Sequence, residues 1–96
     1  FTKVFSRSLE AMAQPGDLLW AISTSGNSKN IKEALVVAKR LKVSSVGFYG
    51  KTGGLAKKYT ENSILVPSKN TARIQECHIF LGHYILEKTE DILIKN

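Results

Sequence analysis

The sequence predicts an α/β fold, a parallel sheet with helices on both faces. Two observations carry this reading. Short continuous apolar runs alternate with amphipathic stretches, in the order helix, strand, helix, strand, short helix, strand, helix. Alternation of this kind implies parallel strands joined by helical crossovers. The second observation is size. Three strands in 96 residues are few for such a sheet, and the first residue is Phe1 rather than Met. The expectation is a single domain, or part of one, incomplete on its N-terminal side.

Each element has its own signal. Residues 2–13 read as a helix, with Val4, Phe5, Leu9 and Met12 at helical spacing, and Pro15-Gly16-Asp17 ends it. Residues 18–22 are a continuous apolar run, the pattern of a strand buried on both faces. A polar loop at 23–28 leads into an amphipathic helix at 29–42, marked by Ile31, Ala34, Leu35, Ala38 and Leu41. A second buried strand is expected at 46–49. A glycine-rich loop at 50–54 and a short helical stretch at 55–59 follow it. A third strand at 63–66 stops at Pro67, and residues 71–94 read as one long helix. The sequence has no internal repeat and no low-complexity segment.

Composition narrows the class. Hydrophobic residues make up 43% of the chain, enough for a packed core, which argues against disorder. The net charge of +6 attracts anions, but the lysines and arginines are dispersed and no aromatic residues interleave with them. That favours a solvated or anion-attracting surface over a nucleic-acid groove. Cys77 is the only cysteine, so the chain forms no internal disulfide, in keeping with a reducing compartment. No apolar run approaches the roughly 18 residues of a membrane span. No secretory pattern opens the sequence, and no membrane contact is expected.

The strongest local signal is Ile22-Ser23-Thr24-Ser25-Gly26-Asn27-Ser28, between a buried strand and a helix. Ligands of open α/β sheets gather at the carboxyl ends of strands. A helix N-terminus there offers backbone N–H groups and a positive dipole end, which suit a phosphate. Gly26 allows a tight turn and a close approach of backbone to anion. Ser23, Thr24, Ser25 and Ser28 can add hydroxyl donors. The alternative is that Ser28 or Asn27 only caps the helix, but four hydroxyls in six residues exceed what one cap needs. Gly50-Lys51-Thr52 resembles the end of a nucleotide-binding P-loop. That motif requires a glycine five residues earlier, where Ser45 stands, so triphosphate binding is excluded. Gly53-Gly54 can shape the rim of the site or be an ordinary strand-to-helix turn.

The last helix carries Arg73-Ile74-Gln75-Glu76-Cys77-His78 and then His83. Gln75, Ile79 and Gly82 share a stripe, and His83 lies about 80° around the helix and about 12 Å along it from Gln75. One small ligand or metal is then not reached by both from one helix. If both serve one site, they come from different subunits. His78 projects about 140° away from His83, so the two histidines do not form a ready-made metal pair. For each histidine taken alone, a helix-face residue without a catalytic role is the simpler reading.

The serine loop, Gly50-Lys51 with Gly53-Gly54, and the Arg-Ile-Gln-Glu helix with His78 and His83 together resemble the C-terminal half of phosphoheptose isomerases. These are sugar-isomerase (SIS) domain enzymes with a flavodoxin-like three-layer sandwich. The resemblance covers essentially residues 1–96, read as the C-terminal portion of such a domain. It implies interconversion of sedoheptulose 7-phosphate and a D-glycero-D-manno-heptose 7-phosphate through an enediol, in bacterial heptose biosynthesis. It places Ser23, Thr24, Ser25 and Ser28 at the sugar phosphate. Gln75 falls at a substrate-binding position that is a zinc ligand in some members. His83 falls at the catalytic acid–base histidine, which can also ligate zinc. It further implies a cytoplasmic homotetramer with sites at subunit interfaces. Two departures stand out: Ala72 and Thr52 occupy positions where many relatives carry an acidic residue. The family's catalytic glutamate and first glycine-rich loop are expected upstream of Phe1. The competing readings are a non-catalytic SIS protein associated with replication initiation and a sugar-phosphate-sensing module. His83 favours the enzyme, because a binding protein needs no base there.

Overall fold

The computed structural model describes residues 4–95. Its elements are α1 (Val4–Met12), β1 (Leu18–Ser23), α2 (Lys29–Arg40), β2 (Ser44–Gly50), a 3₁₀ turn (Ala56–Tyr59), β3 (Asn62–Val66) and α3 (Thr71–Lys95). The start of the first expected helix, at Thr2 and Lys3, lies outside the described residues. The three strands form one parallel sheet in the order β1-β2-β3.

Side chains alternate across this sheet, as strand geometry requires. On one face Ala21 and Tyr49 meet Leu35 of α2 and Ala56 of the 3₁₀ turn. On the other, Trp20 meets Phe48 edge-on at 5.0 Å, and Phe48 meets His78 of α3 at 5.7 Å. Phe48, Tyr49, Leu35 and Ile74 are fully buried. Burying a side chain such as Phe48 or Leu35 contributes roughly 1.5–3 kcal/mol. Helix α1 packs along α2, where Arg40 pairs with Glu10 at 2.7 Å.

Three expectations are corrected. The apolar run of β1 is not buried on both faces: Leu18 is 60% and Ile22 56% exposed. The run reports what the strand's side chains can bury, whereas burial needs neighbours, and among the described residues β1 pairs only with β2. Strand β2 begins at Ser44, ahead of the apolar run, because Ser45 is buried and its Oγ accepts the Glu61 N–H at 3.0 Å. Helix α2 stops at Arg40 rather than at residue 42. Lys42 takes the left-handed conformation (φ 61°), and the N–H groups of Lys42 and Val43 turn back to the carbonyls of Lys39 and Ala38. This is a Schellman stop built without the usual glycine, so the sequence carried no signal for it.

Candidate functional site at the carboxyl edge of the sheet

The parallel register brings the carboxyl ends of all three strands, Ser23, Gly50 and Val66, to one edge. Helices α2 and α3 begin at that edge, so their positive dipole ends converge there. The Asn70 side chain accepts the Ala72 and Arg73 N–H groups at 3.0 and 3.3 Å and fixes the start of α3.

The serine loop is ordered by its own hydroxyls. Ser23 Oγ accepts the Gly26 N–H at 3.0 Å, Ser25 Oγ the Asn27 N–H at 3.1 Å, and Ser28 Oγ the Ile31 N–H at 3.4 Å. Ser28 is therefore the N-cap of α2. Each hydroxyl that accepts in this way keeps its own proton to donate, which is what an anion requires.

A second loop holds the first in place. Asn27 Oδ1 accepts the Leu55 N–H at 3.0 Å, and the Gly26 carbonyl accepts the Ala56 N–H at 2.8 Å. Gly26 (φ 71°) packs so closely on the Gly53 carbonyl that a Cβ there would overlap it. Gly54 (φ 56°) would meet the Ser25 carbonyl at 2.5 Å if it carried a Cβ. Gly53-Gly54 thus forms the back wall of the serine loop, and not an ordinary turn.

A groove runs along the β1 side of α3. Gln75, Ile79 and His83 border it from the helix, Trp20 and Ile22 from β1, and His78 lies at its floor. Both Gln75 and His83 are exposed, and His78 is 3% exposed. His78 is a buried residue that lines the same groove as His83. Measured around the helix from Ile74, the groove is centred near 100°. His78 at about 40° lies on its sheet-facing side and His83 at about 180° on its outer side, despite the 140° between them. His78 Nε2 lies 3.0 Å from the Tyr49 carbonyl oxygen. No sequence signal gave Trp20 a role or showed what Asn27 and His78 contact. Their roles come from contacts across 28–29 residues of chain, or between a strand and a helix.

Helical rise places Gln75 about 6 Å and His83 about 18 Å beyond Thr71. Gln75 therefore belongs to the edge that carries the serine loop, while His83 lies well down the sheet. The residues named for zinc do not form a site on their own. Among the described residues no group of three or more His, Cys, Asp or Glu could hold a metal. Gln75 and His83 are about 12 Å apart along α3, too far to grip one ion together.

A parallel sheet with a hydroxyl-rich loop and two helix N-termini at its carboxyl edge defines a ligand-binding α/β domain suited to anions. Comparison with known proteins finds phosphoheptose isomerases. The chain is 52% identical over 91 residues to the phosphoheptose isomerase of Campylobacter concisus, covering 95% of the chain and 48% of that protein. It is 43% identical over 90 residues to that of Clostridium acetobutylicum, covering 94% and 46%. Among solved structures, phosphoheptose isomerase GmhA from Neisseria gonorrhoeae superposes with a TM-score of 0.88 at 38% identity, over 91% of this chain and 50% of that one. The phosphoheptose isomerase from Francisella tularensis gives 0.87 at 31% identity, over 91% and 47%. No protein-family model matches the chain. The chain is a homologue of the C-terminal half of phosphoheptose isomerases and spans about half the length of the curated relatives it matches.

Proposed function

We propose that this chain is the C-terminal, phosphate-holding part of a sugar-phosphate isomerase that interconverts sedoheptulose 7-phosphate and D-glycero-D-manno-heptose 7-phosphate. The observation that carries the proposal is the serine loop at the carboxyl edge. Its hydroxyls accept backbone N–H groups, and its backbone is braced by the Gly53-Gly54 loop. Similarity to phosphoheptose isomerases along 95% of the chain supports the choice of substrate.

Ketose-to-aldose conversion removes a proton from C1, passes through a 1,2-enediol, and returns a proton to C2 while the carbonyl moves to C1. One group must act as base on carbon and one as acid on oxygen. Histidine can serve in either role because its ordinary pKa lies near neutrality. His83 is assigned the acid–base role. Ser23, Thr24, Ser25 and Ser28 hold the phosphate, which lies far from the reacting carbons and so anchors and orients the sugar. Gln75, near the loop, is assigned to a sugar hydroxyl. His83 lies about 12 Å further along α3 than Gln75, so the site is completed across subunits; the resemblance to phosphoheptose isomerases implies a cytoplasmic homotetramer. Zinc, where the enzyme carries it, would be held by Gln75 and His83 brought together from different subunits and would polarise the carbonyl. No step is assigned to it.

The test is incubation of the full-length protein with sedoheptulose 7-phosphate, following the aldose product. Formation of the heptose with exchange of one solvent hydrogen into it is expected. Tight binding of the sugar phosphate with no product would sink the isomerase assignment and leave a binding module.

A further inference from the structure

Two neighbouring residues at the end of β2 receive two consecutive turns of α3. The Tyr49 carbonyl oxygen lies 3.0 Å from His78 Nε2. A carbonyl can only accept, so Nε2 carries a proton and donates it. The other ring nitrogen, Nδ1, is buried without a protein partner, so this bond is the polar anchor of the ring. One turn earlier on α3, Ile74 sits against Gly50, the last residue of the strand. A Cβ on Gly50 would overlap Ile74 Cδ1 and would lie 2.6 Å from the Thr24 carbonyl oxygen. Gly50 does not take the left-handed conformation, so lack of space rather than backbone angle demands a glycine there. Helix α3 and the serine loop therefore meet at one Cα. Tyr49 is itself immobilised. Its side chain is fully buried, its hydroxyl pairs with Thr60 Oγ1 at 2.7 Å, and its ring covers Gly47, where a Cβ would overlap it.

We infer that His78 and Gly50 are positioning residues for the isomerase site, a two-point clamp that fixes α3 against the serine loop. The clamp's place in catalysis rests on the sugar-phosphate reading above. Gln75 follows Ile74 directly, and His83 lies on the same helix beyond His78, so a shift at the clamp displaces both. His78 is 3% exposed and acts through the helix rather than on the sugar. The serine loop has separate bracing from Asn27, Gly53 and Gly54, so it stays in place when the His78 bond is lost. The phosphate then remains anchored while the reacting carbons meet misplaced groups. Misplacement on the order of 1 Å can cost about 10²-fold in rate.

The experiment compares His78→Phe, His78→Gln and Gly50→Ala in the full-length protein, reading kcat, phosphate affinity, and the NMR resonances of the Gln75 side-chain amide and the His83 ring. His78→Phe keeps a ring but loses the donor. It should lower kcat on sedoheptulose 7-phosphate about 10- to 100-fold and leave the affinity for inorganic phosphate unchanged. The glutamine amide nitrogen stands as many bonds from the backbone as Nε2, so His78→Gln should recover most of the rate. A residue needed only for stability would lower the urea midpoint and leave kcat of the folded enzyme alone. Gly50→Ala, which acts from the strand side and serves if His78→Phe does not fold, should lower kcat and also weaken phosphate binding through Thr24. Both resonances should shift in His78→Phe and Gly50→Ala and return in His78→Gln. If the wild-type protein forms no heptose, the substrate reading has failed, and the same shifts and their return still establish the clamp. Unmoved Gln75 and His83 resonances overturn it. A wild-type kcat in His78→Phe, or a His78→Gln variant as slow as His78→Phe, overturns the positioning role.

Discussion

Ser28 and Ser25 look alike in the sequence but do different work, and substitution separates them. Ser28 caps α2 through the Ile31 N–H, so Ser28→Ala should cost about 1 kcal/mol of stability as well as weakening ligand binding. Ser25 orders only a local turn at Asn27. Ser25→Ala should leave the denaturation midpoint nearly unchanged and still lose roughly 1.5–3 kcal/mol of binding to a charged phosphate. Calorimetric titration of the full-length protein with sedoheptulose 7-phosphate, alongside urea unfolding, checks both. Equal binding by wild type and both variants would remove the loop from the site. Tyr49 carries a prediction of another kind. It is fully buried, and burial raises its pKa above the ordinary 10.0, with the Thr60 hydrogen bond opposing the shift. The unfolded chain therefore releases this proton at lower pH than the folded chain does. The contribution to stability is complete below pH 10.0 and is lost as pH rises through the raised folded value. Urea unfolding between pH 9 and 11 (about one unit either side of the ordinary tyrosine value) should show falling stability, and Tyr49→Phe should flatten that fall.

At the scale of elements, the loops after β1 and β2 act as one unit. Gly26→Ala would drive a methyl group into the Gly53 carbonyl at a backbone angle of 71° that suits glycine. The substitution should cost about 1–3 kcal/mol, by the usual scale of stored backbone strain, and should abolish phosphate binding more fully than any serine variant. Chemical denaturation and phosphate titration of Gly26→Ala read the two effects separately. This joint between loops also marks the limit of what the sequence discloses. Strand β3 and helix α3 were legible because a stop at Pro67 and an unbroken run without proline are local signals. Strand β1 was legible as a strand but not as an exposed edge, since exposure depends on which neighbours the strand has. The end of α2 at a left-handed lysine was invisible because that conformation ordinarily calls for glycine. The serine loop could be read from its hydroxyls and Gly26. Its bracing by Asn27 and Gly54 could not, because those contacts join segments 28 residues apart. His78 illustrates the same limit: helical angles set it apart from His83, but the width of the groove, fixed by Trp20 on β1, brings both to one cleft.

For the whole molecule, α3 carries much of the exposed apolar surface. Ile74 and His78 face the sheet, while Ile79, Leu86 and Leu93 repeat every seven residues about 100–140° around the helix and are 58–73% exposed. Phe80 and Tyr84 open a further exposed apolar side. A helix with one partner normally keeps one apolar stripe, so these additional faces are expected to pack against other subunits in a symmetric oligomer. Sedimentation of the full-length protein should give a species larger than a monomer at micromolar concentration, and Ile79→Glu with Leu86→Glu should dissociate it. A monomeric wild-type protein would contradict this. In the proposed site His83, well down α3 from the serine loop, reaches the carboxyl edge only across an interface. The most direct test of the account is therefore turnover of sedoheptulose 7-phosphate by the full-length His83→Asn variant, measured beside its substrate affinity. The account expects affinity close to wild type and a rate lower by about 10²–10⁴-fold. A variant that turns over at the wild-type rate would contradict the assignment of His83 and, with it, the proposed site.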